Sequence, residues 1–286
     1  MKPTDQFIAA NGLRHHLDVW DGGGDTTVLL LHGYLDLGRA WTFLAEALPQ
    51  NDWHVAALDW RGHGQSEWVG AGGYYHFVDY VRDLDAIARA VRRKRLIVVA
   101  HSMGAMIATL WLGARPAGAD GLLLVEGLGP MPCTPAGYVD RLTQWLDQTA
   151  PFDAARHDRR LASLDDAVRR LMRAQPKLGA EKAARLAAWA AMPTDDGAWR
   201  WRFDPLHRTR APVPYPTDAA EVAWKRVRCP TRWLGGAQSQ WLGPHLDRWL
   251  DLRLDVPRRL LPGAGHMVQN DAPDALAGEL IDFVSQ

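Results

Sequence analysis

The stretch Leu96-Ile97-Val98-Val99-Ala100-His101-Ser102-Met103-Gly104-Ala105-Met106-Ile107-Ala108 decides how this chain folds. Residues 96–100 form a continuous apolar run, which is typical of a strand buried on both faces in a parallel sheet. From Met103 the pattern is helical, and the small residues at 104, 105 and 108 let a helix begin close to the sheet. The sequence therefore predicts a strand, a sharp turn at Ser102 and a helix.

Ser102 stands where a hydroxyl would be lifted clear of the sheet, with the first N–H groups of the helix pointing at whatever it attacks. Residues 100–104, Ala-His-Ser-Met-Gly, match the G-x-S-x-G nucleophile elbow with alanine in place of the first glycine. That position needs a small residue, so alanine weakens the match only slightly. The pentapeptide is equally compatible with an incidental serine, and the flanking sequence has to decide.

The composition limits what the chain can be. Its 286 residues, 47% of them hydrophobic, suit one large α/β domain or a core with an inserted subdomain. A formal net charge of zero argues against nucleic-acid or membrane partners held by charge. The two cysteines, Cys133 and Cys229, suggest neither a disulfide framework nor a metal site.

Nothing near Met1 resembles a signal peptide, and no apolar run approaches the roughly 20 residues of a membrane span. We therefore expect a cytoplasmic protein with no metal and no cofactor. Its expected partner is a small molecule rather than a nucleic acid or a membrane, and the sequence leaves the oligomeric state open.

Strand and helix patterns alternate along most of the chain with short connections, which implies right-handed crossovers and a parallel sheet. Asn11-Gly12 is a hairpin signal that would join the first two strands. The predicted strands are residues 6–10, 13–20, 27–31, 53–58, 96–100, 121–125, 231–234 and 258–261.

The alternation stops between residues 130 and 225, where prolines interrupt the pattern. Residues 138–147, 165–174 and 180–191 are predicted helices with no strand between them, and residues 217–226 a last helix of this region. The prediction is a core formed by residues 1–129 and 226–286, with a helical cap of residues 130–225 inserted in it.

Four short motifs follow predicted strands in a recognisable order: residues 31–34, residues 59–66, the elbow, and Pro-Gly-Ala-Gly-His at 262–266. Together they resemble the α/β-hydrolase fold superfamily, in particular cap-bearing serine hydrolases of the serine-hydrolase-like and haloalkane-dehalogenase-like branch. The resemblance covers the chain except the cap. It implies an α/β fold with an eight-stranded, mostly parallel sheet, helices on both faces and an inserted helical cap.

Ser102 and His266 both follow directly on predicted strands, so they would meet at the carboxyl edge of the sheet. Ser102 needs a base to remove its proton, and His266 can supply it near neutral pH. We expect the developing oxyanion to be held by the backbone N–H groups of Tyr34 and Met103.

Glu126 is the expected acid that orients His266. It ends a strand buried enough that an unpaired carboxylate would be costly. Many relatives carry the acid after the next strand, but residues 235–241 contain no carboxylate, and Asp247 lies too far along the next helix. Dehalogenase-like relatives can carry the acid where Glu126 stands. The alternative is that Glu126 is only a loop carboxylate at the point where the chain enters the inserted cap.

Five further residues are candidates for the neighbourhood of the site. His32 is expected to support the oxyanion loop, and His101 either lines the site or only satisfies a hydrogen bond. Trp145, Trp189 and Trp199 belong to the inserted segment, where at least half of the tryptophans are expected to pack the cap onto the core. Any that faces Ser102 would line an apolar pocket.

Haloalkane dehalogenases and epoxide hydrolases use aspartate at the elbow, whereas this chain has Ser102 followed by Met103. The expected function is therefore a serine hydrolase, an esterase-like enzyme that cleaves a small, largely apolar ester, thioester or lactone through an acyl-enzyme. The alternatives are a hydrolase of carbon–carbon bonds beside a ketone, a cofactor-free acyltransferase, and a non-catalytic module that binds a small molecule.

Overall fold

The structure, a computed structural model, describes residues 2–49, 52–150 and 159–286. Eight strands form one sheet in the order β1-β2-β4-β3-β5-β6-β9-β10. The pairs β1–β2 and β2–β4 are antiparallel and the other neighbours are parallel, which confirms the predicted mostly parallel sheet. The strands are β1 Thr4–Ala10, β2 Leu13–Asp21, β3 Thr26–Leu31, β4 Trp53–Leu58, β5 Arg95–His101, β6 Gly121–Val125, β9 Thr231–Gly236 and β10 Arg258–Leu261.

The helices of the described residues follow the predicted rhythm. They are α1 Thr42–Ala47, α2 Phe77–Val91, α3 Met103–Ala114, α4 Pro135–Thr149, α5 Leu164–Ala174, α6 Ala180–Ala190, α7 Thr217–Arg226, α8 Pro244–Asp251, α9 Val268–Asp271 and α10 Pro273–Val284, with short 3-10 turns at Gly38–Trp41 and Pro205–Arg208. None of them is long and apolar enough to cross a membrane.

Strand β5 shows why the central strands are continuously apolar. Leu96 and Val98 face one hydrophobic core, while Ile97 and Val99 face the other. Helices α2, α3, α7 and α8 cover the first face, and α1, α9 and α10 cover the second. Because side chains alternate across a strand, a strand covered on both sides needs apolar residues at every position.

The first hairpin forms where it was predicted. Asn11 and Gly12 have φ of 55° and 83°. Positive φ at both central residues is what a tight turn between right-twisted strands requires.

The segment between β6 and β9 contains α4 to α7, but it is not purely helical. Strands β7 Ala191–Pro193 and β8 Trp199–Trp201 form an antiparallel pair after α6. No strand of the described residues separates the three predicted helices, but this pair of strands was not predicted. The turn Thr194–Gly197 closes this pair, with Gly197 at φ 81°. Short strands ended by a proline and a glycine turn leave too few residues for an alternating pattern.

The last helix of the predicted cap, α7, packs on the core helix α3. A Cβ atom on Gly113 of α3 would lie 2.3 Å from the Cβ of Ala223 in α7. Ala220 and Trp224 of α7 belong to the same hydrophobic core as α3. Of the predicted cap, residues 151–158 lie outside the described residues.

The start of α3 is pressed against the end of β3, which gives a first prediction. A Cβ atom on Gly104 would lie 2.7 Å from the carbonyl oxygen of Leu31 and 2.8 Å from that of His32. Gly104→Ala should therefore lower the free energy of unfolding by about 1–3 kcal/mol in urea titrations, although alanine is the better helix former.

Gly278 of α10 is the matched control, because an added Cβ there meets no atom within 4 Å. Gly278→Ala should stabilise the protein by up to about 1 kcal/mol. Equal stabilisation by both substitutions would show that α3 does not begin in close contact with the sheet.

Candidate active site

Ser102 lies at the turn between β5 and α3 in a strained conformation, with φ of 50°. Its N–H donates to the carbonyl oxygen of Val125 at 2.9 Å, which ties the turn to the end of β6. A Cβ atom on Gly127 would lie 2.5 Å from the carbonyl oxygen of Ser102, and one on Gly33 would lie 3.2 Å from its Cβ. Non-glycine residues at positive φ persist only where their surroundings hold them, as these close contacts do.

His266 follows β10 and a turn in which Gly263 has φ of 76°. Its Nε2 atom lies 3.2 Å from Ser102 Oγ, and its Nδ1 atom lies 3.0 Å from Glu126 Oε2. The imidazole therefore bridges the serine hydroxyl and the carboxylate. With Nδ1–H donating to Glu126, Nε2 is the atom that can accept the serine proton.

Glu126 follows β6 with φ of 56°, and its side chain is only 1% exposed. Its Oε1 atom accepts the N–H of Gly236 at 2.6 Å, and its Oε2 atom accepts the hydroxyl of Ser239 at 2.5 Å in addition to His266. Hydrogen bonds to a buried carboxylate offset the loss of its hydration. The structure thus brings Glu126, Ser102 and His266 together, as the sequence predicts.

Gly236 and Ser239 are contacts of the site that the sequence analysis missed. They lie in the segment after β9 where a carboxylate is absent, and Glu126 fills that space from β6. A Cβ atom on Gly235 would lie 3.0 Å from Glu126 Oε1, so the paired glycines there were the available signal.

The N–H groups of Tyr34 and Met103, the expected oxyanion donors, are both without an acceptor in the secondary structure of the described residues. Met103 is the first residue of α3, so its N–H has no acceptor inside the helix. Among the described residues, the N–H of Tyr34 has no hydrogen-bond acceptor, and the following Leu35 has φ of 58°. These two donors can stabilise negative charge on an oxygen bonded to a carbon at Ser102 Oγ.

His32 is buried and supports the loop that carries Tyr34. Its Nε2 atom accepts the N–H of Trp60 at 3.1 Å, and its Nδ1–H donates to the carbonyl oxygen of Gly33 at 2.7 Å. Burial lowers the pKa of His32 to about 4, so the ring is neutral at pH 7. The predicted supporting role agrees with this geometry.

His101 takes the second of its two predicted roles. Its Nε2–H donates to the carbonyl oxygen of His266 at 2.9 Å, and burial lowers its pKa to about 3. The neutral ring of His101 therefore holds the backbone of His266 in place through this hydrogen bond. It does not line the cavity beside Ser102.

A cavity of about 440 Å³ opens beside Ser102, His266 and Glu126. This volume lies within the range of ordinary small-molecule sites. The other side chains in its wall are mostly apolar and come from α3, the segment after β6, β9 and the region of α8: Met106, Leu128, Pro130, Met131, Trp233, Trp241, His245 and Leu246.

None of the three cap tryptophans proposed for the pocket lines this cavity. Trp145 makes an edge contact with Tyr74, with ring centroids 6.0 Å apart, and Trp189 packs near Phe43 at 6.4 Å. Trp199 packs in a small hydrophobic cluster of the inserted segment. Trp145 and Trp189 thus contact residues of the predicted core, whereas Trp199, in β8, packs within the inserted segment. The aromatic wall comes instead from Trp233 and Trp241.

One group of possible metal ligands is found among the described residues: Asp5, His16 and Asp18, with ligand atoms within 4.8 Å of one another. The guanidinium of Arg39 already donates to both Asp5 and Asp18. His16 contacts Asp5 at 2.9 Å and Asp59 at 2.7 Å. The positive charges of an ion-pair network thus occupy the place that a cation would take.

The model of the alpha/beta hydrolase family matches residues 28–279. This match covers most of the chain, and the strand order and the connections agree with it. The chain belongs to the alpha/beta hydrolase family.

Curated relatives support the serine-hydrolase-like branch. A serine hydrolase-like protein of Danio rerio is 29% identical over 63% of this chain and 55% of its own length. Serine hydrolase-like protein 2 of Homo sapiens is 24% identical over 57% of this chain and 52% of its own length. The match thus spans about half the length of these relatives.

Solved structures resemble the whole chain. The thioesterase domain from the curacin biosynthetic pathway has a TM-score of 0.86 and 26% identity over 98% of this chain and 100% of its own. A hypothetical protein from Pseudomonas aeruginosa PAO1 has a TM-score of 0.85 and 25% identity over the full length of both chains. The likeness to these structures thus includes both the sheet and the inserted segment.

The contact between Ser239 and Glu126 gives a second prediction. Ser239→Ala removes one donor from a buried carboxylate, which should lower the free energy of unfolding by about 1.5–3 kcal/mol in urea titrations. In a Glu126→Gln background the same substitution should cost clearly less, because the two side chains act as a pair.

Ser285→Ala is the control, since the hydroxyl of Ser285 donates to the carbonyl oxygen of Ile281 at the exposed end of α10. Additive effects of Ser239→Ala and Glu126→Gln would contradict the pairing.

Proposed function

We propose that the chain is a serine hydrolase that cleaves a small, largely apolar ester, thioester or lactone through an acyl-enzyme on Ser102. The observation that carries the proposal is the continuous line of hydrogen-bonding atoms from Ser102 Oγ to His266 Nε2, at 3.2 Å, and from His266 Nδ1 to Glu126, at 3.0 Å. A module that only binds a ligand needs no such relay.

In the first half of the reaction, Ser102 Oγ attacks the carbonyl carbon while His266 Nε2 takes the hydroxyl proton. The charge that forms on the carbonyl oxygen is held by the N–H groups of Tyr34 and Met103, each typically worth about 2.7–4 kcal/mol of transition-state stabilisation. His266 then gives its proton to the departing alcohol or thiol, and the acyl group stays on Ser102 as an ester.

In the second half, a water molecule takes the place of the leaving group. His266 removes its proton, the hydroxide oxygen attacks the acyl carbon, and the bond to Ser102 Oγ breaks as that oxygen regains a proton. Glu126 remains ionised throughout, because its role is to orient the imidazole and to stabilise the imidazolium.

The substrate class follows from the wall of the cavity. About 440 Å³ bounded by methionine, leucine and tryptophan side chains favours aromatic or medium-length alkyl groups next to the carbonyl. The structural likeness to a thioesterase domain supports thioesters among the candidates. We also propose that residues 130–225 act as a cap that determines which substrates reach Ser102, over a core of residues 1–129 and 226–286.

Ser102 gives the third prediction. Ser102→Ala removes the nucleophile, so hydrolysis of aryl and thioester substrates should fall by several orders of magnitude and labelling by a fluorophosphonate probe should disappear. Ser285→Ala, at an exposed site far along the chain, should keep both. Undiminished ester hydrolysis by the Ser102→Ala protein, folded by circular dichroism, would refute the assignment.

Glu126 gives the fourth prediction, with Asp247 as its comparison. Glu126→Gln keeps the size of the side chain but stops it from fixing the imidazole, so kcat should fall by about 10⁴-fold. Asp247 is exposed on α8, and Asp247→Asn should have little effect. Near-normal turnover in Glu126→Gln together with a large loss in Asp247→Asn would show that Glu126 is not the acid that orients His266.

A further inference from the structure

A second cavity, of about 260 Å³, lies on the oxyanion side of the nucleophile. Its wall includes the side chains of Tyr34 and Met103, whose N–H groups are the proposed oxyanion donors. The apolar cavity has no residue in common with it and is bounded by the segment after β6. A substrate whose carbonyl lies at Ser102 would therefore have one cavity on each side of the reacting bond.

The second cavity is aromatic, and three of the four tyrosine hydroxyls in its wall have partners. The hydroxyl of Tyr34 donates to the carbonyl oxygen of His207, and that of Tyr75 donates to Asp204 at 2.7 Å. The hydroxyl of Tyr74 is 2.5 Å from Thr209 Oγ1. These rings provide walls, and their hydroxyls are not free donors for a ligand.

A charged side chain in the wall has a buried donor that lacks a partner. Arg141, in the wall, donates from Nη1 to the carbonyl oxygen of Ala211 at 3.1 Å, but its buried Nε–H has no acceptor among the described residues. Trp145, one turn further along α4, contacts the wall residue Tyr74 but does not itself line the cavity.

The charge of the cavity has one sign. Arg141 is always protonated, and Arg210, also in the wall, is exposed at the surface. No carboxylate occurs in the wall among the described residues. Buried donors without acceptors are costly, and an anionic oxygen is the group that satisfies them best.

We propose that this cavity binds an anionic group of the substrate, a carboxylate or a phosphate, through Arg141. The substrate is then an ester or thioester that is apolar on one side of its carbonyl and carries the anion on the other. The volume is below that of an ordinary ligand site, which suits a subsite rather than a separate binding site. This inference rests on the proposed hydrolysis at Ser102.

The experiment compares matched esters that differ only in terminal charge. Phenyl hydrogen glutarate carries a carboxylate, its methyl ester is the neutral counterpart, and a third phenyl ester ends in a phosphate of similar length. A second set carries the same groups on the alcohol part. The measured quantity is the ratio of kcat/KM for the anionic ester to that for the neutral one.

The wild-type protein should prefer an anionic ester, and Arg141→Gln should lower the ratio by about tenfold or more, mainly through KM, because the anion is bound equally in the ground and transition states. Arg141→Lys should keep part of the preference, since it keeps the charge. Comparison of the carboxylate and phosphate esters identifies which anion fits.

Arg169→Gln is the matched control on α5, since Arg169 is 63% exposed and forms an ion pair with Asp166 at the surface. It should leave the ratio unchanged. The inference is overturned if the wild type shows no preference for either anion, or if Arg141→Gln leaves the ratio unchanged and Arg141 only ties α4 to Ala211.

Failure of the proposed function is recognised separately, by hydrolysis that survives Ser102→Ala. In that case, titration calorimetry with glutarate and its neutral diamide measures the anion preference without turnover. Binding of glutarate that Arg141→Gln abolishes would still support the subsite, and equal binding of the two compounds would overturn it.

Discussion

The carboxylate of Glu126 is buried between three segments of chain that are distant in sequence, and its three hydrogen bonds hold them together. Gly236 and Ser239 bind it from the end of β9, and His266 binds it from the turn after β10. A carboxylate taken out of water must be compensated in this way, or it destabilises the fold. The position of His266 is thus fixed by the same contacts that make the buried charge tolerable.

The same edge of the sheet concentrates the strain of the molecule. Ser102 and Glu126 directly follow adjacent strands, and both have positive φ, at 50° and 56° respectively. The hydrogen bond from Ser102 N–H to Val125 and the absence of a side chain at Gly127 allow the two turns to lie against each other. Two strained turns in contact aim a hydroxyl and a carboxylate at one imidazole, which fits the view that strain is retained where function uses it.

The two cavities near Ser102 differ in the chemistry of their walls. The larger one is apolar and contains His266 in its wall, whereas the smaller one contains Arg141 and borders the proposed oxyanion donors. A serine nucleophile between an apolar and a cationic cavity favours substrates with two unlike ends. Selectivity would then depend on α4, which supplies Arg141, rather than on the tryptophans of α6 and β8.

Much of the fold could be predicted because its signals are local. The apolar run of β5 and the turn at Asn11-Gly12 each act through neighbours in sequence. Gly236 and Ser239 were not predicted as partners of Glu126, because a backbone N–H and a serine hydroxyl occur in most loops and carry no signal of their own. His266 is equally distant in sequence from Glu126, but it belongs to a recognisable motif. The cap tryptophans were wrongly placed in the pocket because their packing could not be predicted. Composition shows that large rings are present, but only packing decides which of them face the nucleophile.

The protonation site of the His266 ring tests the central claim most directly, because every step assigned to this residue depends on it. With ¹⁵N-labelled histidine, NMR spectra of the protein at neutral pH distinguish the two neutral tautomers, and a His266→Gln sample identifies this ring among the 11 histidines. The arrangement predicts a proton on Nδ1, donated to Glu126, with Nε2 unprotonated toward Ser102. In Glu126→Gln this preference should be lost. A proton on Nε2 in the wild-type protein, or the same tautomer in both proteins, would contradict Glu126 as the group that orients His266.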